Sequence, residues 1–131
     1  MMLNKPGEAL VKEGAQNVTE KDVALVVSKS DEIQKKFSAR GPLARFIVDG
    51  KLLISLVRDY WSRAYRHIPY GVIASAAFTL IYVFNPFDIL PDVLPIVGQV
   101  DDVAVLSACL LLIEQDLHKY KNWKEGREED R

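Results

Sequence analysis

Four aspartates in one short stretch, Asp88, Asp92, Asp101 and Asp102, are the residues of this 131-residue chain whose type and spacing could do chemistry. Carboxylates brought close together supply the hard oxygen ligands that Mg²⁺ or Ca²⁺ takes, and a bound cation would relieve their mutual repulsion. Helix termini offer a second account. Asn85 is a good N-cap followed by Pro86, which puts Asp88 at the third helical position. Asp101 and Asp102 stand just before an uncharged run, where carboxylates meet the positive end of a helix dipole. Asp92 alone lacks a local explanation of this kind. Capping is the first expectation for the group, and a divalent-cation site the alternative. No catalytic, cofactor-binding or metal residue is assigned.

Nothing else in the chain adds a reactive constellation. His67 and His118 lack the Cys or carboxylate spacing of a zinc motif and read as interfacial or surface histidines. Cys109 is the single cysteine and lies in an apolar run, so it reads as a small core residue with no basic neighbour to activate it. No nucleophile elbow, phosphate loop, dinucleotide fingerprint or HExxH pattern is present. Neither an enzyme nor a cofactor is expected. The 17 basic and 18 acidic side chains nearly cancel, which gives no reason to expect a nucleic-acid partner.

The elements that must position these residues are helical, and the length suits one domain. Residues 1–18 are polar, contain Pro6, Gly7 and Gly14, and read as a flexible arm without a signal peptide. Thr19, with Asp22 three positions on, can cap a first helix over 19–38, ended by Gly41 and Pro42. A second helix over 42–67 repeats apolar residues at intervals of three and four, from Leu43 and Phe46 through Leu53, Val57 and Trp61. Its other face is basic and its end aromatic, a pattern suited to a membrane interface with Tyr60, Trp61 and Tyr65 at head-group level. The same pattern suits a solvated face of a helix bundle.

Residues 68–87 form twenty consecutive uncharged positions. Twenty helical residues span about 30 Å, the thickness of a bilayer core, so the third helix, over 69–84, is a transmembrane candidate. The competing reading is a central helix covered on every side by its neighbours. Prolines 91 and 95 make 91–98 irregular. A fourth helix runs over 101–120, and its uncharged part, residues 103–113, is too short to cross a membrane. The charged tail, residues 121–131, is expected to fray.

The run Asn85-Pro86-Phe87-Asp88-Ile89-Leu90-Pro91-Asp92, followed by Leu94-Pro95, Gly98 and Asp101-Asp102, resembles the signature of the YkvA-like family, small and mostly bacterial proteins with a domain of unknown function. The resemblance covers residues 66–113. It implies a helical hairpin near a membrane and carries no catalytic residue with it.

The expectation is therefore an all-α chain of about four helices: an arm at 1–18, one domain at 19–120 and a tail at 121–131. An apolar hairpin is joined by a Pro/Asp-rich connector. The function expected is interaction or stabilisation at the membrane, with lipid and other membrane proteins as partners. The alternative is a soluble helical domain that binds a divalent cation through Asp88, Asp92, Asp101 and Asp102. Arg58, Arg63 and Arg66 before the long apolar run, Lys119, Lys121 and Lys124 after the last helix, and a connector with no Lys or Arg place both chain ends on the cytoplasmic side.

Overall fold

The computed structural model describes residues 5–37, 41, 43–84 and 101–129. Among them are seven α-helices and no strand: α1 (Lys5–Gln16), α2 (Glu20–Ser28), α3 (Ser30–Lys35), α4 (Ile47–Trp61), α5 (Tyr70–Phe84), α6 (Asp102–Leu112) and α7 (Glu114–Glu129), with a 3₁₀ turn at Ala44–Phe46. The class is as expected, and the helices are shorter and more numerous.

Helix α5 is the centre. It packs against α1, α2, α3, α4 and α6. Every residue from Ala76 to Val83 is buried, together with Ile73 and Ala74. A helix that is apolar all round is stable in water only when neighbours cover every side, and here the chain's own helices do so. Each large side chain taken out of water contributes roughly 1.5–3 kcal/mol. Over the described part of the uncharged run, residues 68–84, the arrangement is that of a central helix covered by its neighbours. Pro69 holds the helix start at Tyr70, and the described helix has 15 residues, about 22 Å of rise. No helix among the described residues is long and apolar enough to cross a membrane.

Residues 5–16, expected to be irregular, form α1 and bury Leu10 and Val11. The glycine that argued against a helix is what lets this one dock. A Cβ on Gly14 would lie 2.2 Å from the Phe78 ring of α5, so only hydrogen fits there. Gly50 serves α4 in the same way, since a Cβ there would reach 2.7 Å from the Phe37 ring.

Local hydrogen bonds explain where the longer expected helices break. The first divides at Lys29, where the Ser30 hydroxyl donates to the carbonyls of Val26 and Val27 at 3.0 and 2.7 Å, competing with the helical ladder. Its start is as expected: Thr19 precedes α2, and its backbone N–H donates to the Asp22 carboxylate at 2.8 Å. The second begins at Ile47 after a 3₁₀ turn and stops at Trp61, because Arg63 adopts a left-handed conformation with φ 72°. The last divides at Ile113, and α7 continues to Glu129 rather than fraying at Lys121.

The two apolar legs, α5 and α6, pack antiparallel, with the Cys109 thiol donating to the Ser75 carbonyl at 3.7 Å near one end and Tyr82 facing Asp101 and Asp102 at the other. The hairpin exists, but as the protein's own interior. The connector, residues 85–100, lies outside the described residues, and with it the expected irregular stretch, Asp88 and Asp92. The expected pairing of Arg40 with the connector lies outside them too.

Asp101 caps α6, accepting a hydrogen bond from the Ala104 N–H at 2.8 Å. Asp102 differs: burial first, then the neighbouring Asp101, pushes its carboxyl above the usual carboxylate range, and Lys36 works against both. The two were expected to serve the helix alike, and their surroundings separate them. Asp101→Ala should cost about 1 kcal/mol through the lost cap, whereas Asp102→Asn should be neutral or slightly stabilising at pH 7. Urea denaturation of the two variants in metal-free buffer measures the difference.

Candidate functional site

Three places outside the apolar interior gather polar or aromatic side chains. The first is a polar ring between α4 and α7. Lys124 Nζ donates to Ser55 Oγ at 2.6 Å and to Asp59 Oδ2 at 3.1 Å. The Tyr120 hydroxyl donates to the same Asp59 oxygen at 2.5 Å. Ser55 and Tyr120 are 2.5 Å apart, and because the tyrosine proton is already given to Asp59, Ser55 is the donor in that pair. Four groups thus close a ring in which each bond has a defined donor. Ser55 and Asp59 are four apart on α4, Tyr120 and Lys124 four apart on α7, so each helix presents its pair on one face.

Sequence reasoning passed over this ring, although the two four-residue spacings were visible. A serine touched by a lysine resembles a nucleophile and its base. Here the ammonium is committed to Asp59 and the serine proton to Tyr120, so the arrangement holds α7 onto α4. Tyr120 is fully buried and packs edge-on against Tyr65, with ring centroids 5.1 Å apart, while Trp123 stacks on it at 5.8 Å. The expected place for Tyr65 at a membrane surface is therefore corrected: it is buried, and Trp123 joins it at 4.8 Å.

The second place is the turn between α4 and α5. Trp61 is 43% exposed and Tyr70 42%, among the largest apolar exposures in the described chain. Arg63, Arg66 and His67 are exposed on the same turn. The Arg66 guanidinium lies 4.1 Å above the Tyr60 ring, which in turn faces Tyr70 at 6.3 Å. The Tyr70 hydroxyl donates to the Val18 carbonyl at 3.3 Å and so ties the turn to the chain before α2. Trp61, Arg66 and Tyr70 wall a cleft of about 410 Å³, with Glu20 on its far side.

The third is a trough along α4, lined from α6 and α7 by Leu110, Leu117 and Lys121. His118 lies on its wall, whereas His67 lies in the turn. Of the four candidate aspartates, the structure describes only Asp101 and Asp102, both at the start of α6. Among the described residues no three His, Cys, Asp or Glu side chains gather as a metal would need.

Cys109 is completely buried and its thiol is pushed up to about 12 by burial, with the Thr79 hydroxyl opposing weakly. It is inert by placement. Thr79 Oγ1 is itself buried without a well-formed hydrogen bond, and the thiol is the polar group beside it.

Fold and surface together define a small all-helical protein organised on one apolar helix, with an exposed aromatic and basic turn and no catalytic constellation among the described residues. Residues 72–108, which run from α5 through the connector into α6, match the family described as protein of unknown function (DUF1232). The chain is 30% identical over 69 residues to the uncharacterized membrane protein YkvA of Bacillus subtilis (strain 168), an alignment that covers 53% of this chain and 65% of that relative. It thus spans slightly less than two thirds of the relative's length. Over that stretch the chain is similar to the YkvA-like family, whose function is unknown. No solved structure matches it.

The polar ring has a pH signature. Burial first, then the hydrogen bond to Asp59, raises the Tyr120 pKa above its ordinary value near 10, with Ser55 opposing. The folded protein keeps this proton at a pH where the unfolded chain loses it, so the contribution is whole below about pH 10 and declines as pH rises further. Tyr120→Phe should cost about 1–3 kcal/mol at pH 7 by leaving Ser55 and Asp59 without their partner. It should also flatten the alkaline limb by up to about 1.4 kcal/mol per pH unit, the linkage of one proton. Urea midpoints from pH 8 to 11 for both proteins give that slope, with Tyr65, Tyr70 and Tyr82, also raised by burial, as a shared background.

Proposed function

We propose that this chain acts by binding rather than catalysis, as an interaction or stabilising element that rests on an anionic membrane surface through the turn between α4 and α5. The observation that carries the reading is the exposure of Trp61 and Tyr70 beside Arg63 and Arg66 on one turn. Aromatic rings with one polar end settle at the head-group level, and each Lys or Arg near an anionic surface contributes about 1 kcal/mol. The left-handed Arg63 makes the turn abrupt, so these side chains project from one end of α4. Glu20, across the cleft, opposes the attraction, which favours a modest and salt-sensitive contact.

The membrane description of the Bacillus relative supports this reading, and a surface contact fits the absence of a spanning helix among the described residues. The surface that meets lipid faces the cytoplasm in this proposal, in keeping with the basic bias of residues 33–67. The cation-binding alternative rests on four aspartates, of which Asp101 already serves as a helix cap.

Flotation with vesicles of phosphatidylglycerol and phosphatidylcholine tests the contact. The protein should float with vesicles rich in phosphatidylglycerol at low salt and be released by 0.5 M NaCl. Arg63→Ala with Arg66→Ala should weaken binding by about tenfold or more, on the basis of roughly 1 kcal/mol per charge. Trp61→Ala should weaken it on vesicles of either composition. Absence from floated vesicles, or binding that none of these substitutions alters, would sink the proposal.

A further inference from the structure

The trough beside the polar ring is chemically graded from end to end. Its larger part, about 540 Å³, has Val48, Leu52, Leu110 and Leu117 on its walls. Val48 is 75% exposed, so apolar surface of the trough is left open to water there. A smaller hollow of about 370 Å³ shares Lys51, Ser55 and Lys124 with the first and adds Arg58.

Lys51, Ser55 and Arg58 follow one another at i, i+4 and i+7 on α4, and so line one face. Lys121 lines the larger hollow only and Arg58 the smaller one only, which also holds the carboxylate of Asp59, already occupied by Tyr120 and Lys124. Among the described residues, Lys51, Arg58 and Lys121 make no salt bridge. Asp49 and Glu114 border the larger hollow, beside Val48 in sequence and at the first residue of α7.

We propose that this trough binds a single-chain anionic amphiphile, a long-chain fatty acid, with its carboxylate at Lys51 and Arg58 and its chain along Val48, Leu52, Leu110 and Leu117. An apolar arm that leads to unpaired cations matches that molecule at both ends, and an arginine meets a carboxylate through two parallel hydrogen bonds. Asp49 and Glu114 repel an acid that enters the other way round, which sets its direction. The volume falls within the 300–1,000 Å³ typical of small-molecule sites.

This site is separate from the membrane contact, and its test needs no membrane. Titration calorimetry with dodecanoate, below the concentration at which it forms micelles, should show one molecule bound per chain. Lys51→Gln with Arg58→Gln, both at exposed positions, should weaken it by tenfold or more, and Leu52→Asn should do the same from the apolar side. Circular dichroism confirms that the variants remain helical. Acetate should not compete, and dodecyltrimethylammonium should bind at least tenfold more weakly than dodecanoate. Failure of dodecanoate to bind, equal binding of the cationic amphiphile, or insensitivity to the Lys51 and Arg58 changes would each overturn the proposal. A dimer in sedimentation that Val48→Lys dissolves would overturn it too, by assigning the trough to a second copy.

Discussion

The burial of α5 from Ile73 to Val83, with Ser75 alone partly open, is the constraint on which the rest of the structure depends. Its sequence has no polar face, with Ile73, Phe78, Leu80, Ile81 and Val83 pointing around the whole helix. A helix of that kind in water must be enclosed, and five other helices enclose it. The demand explains details that are otherwise arbitrary. Gly14 is bare because α1 lies on Phe78. The short helices α2 and α3, separated by the Ser30 bonds, both reach α5, as one straight rod of their combined length would not. The alanines at 74, 76 and 77 let neighbours approach closely.

The polar ring answers a different need. Helix α7 has almost no apolar face, and it is held by a few strong points: the Ser55–Tyr120–Asp59–Lys124 ring and the Tyr65–Tyr120–Trp123 aromatic cluster. An ion pair that is partly exposed contributes little alone, and its value here comes from the hydrogen bonds that lock both partners. The same ring fixes the wall of the graded trough, so the residues that hold α7 also shape the surface beside it.

Much of the fold was legible in the sequence. The three-and-four spacing from Phe46 to Val57, the Thr19–Asp22 pair and the Asp101 cap all carried local, physical signals that the structure repeats. What was not legible depended on contacts between distant segments. Pro6, Gly7 and Gly14 argued against a helix at the N-terminus, and only the Phe78 ring 64 residues away explains why one forms. An uncharged run reads identically whether lipid or protein surrounds it, so residues 68–87 suited a membrane span, and only the neighbours of Tyr70–Phe84 show the described part to be covered by protein. Of the candidate site, Asp101 announced its role by preceding an apolar run. The polar ring joins residues 65 apart, and no single window of sequence holds it.

Native-state hydrogen exchange of the chain in detergent-free buffer tests the enclosure of α5 most directly. If the chain's own helices cover it, the amides of residues 73–83 are the slowest to exchange, opening only with global unfolding, and detergent leaves their protection unchanged. Rapid exchange in that stretch without detergent, with protection gained only in lipid, would mean that the membrane rather than the protein encloses the helix, and would contradict the account.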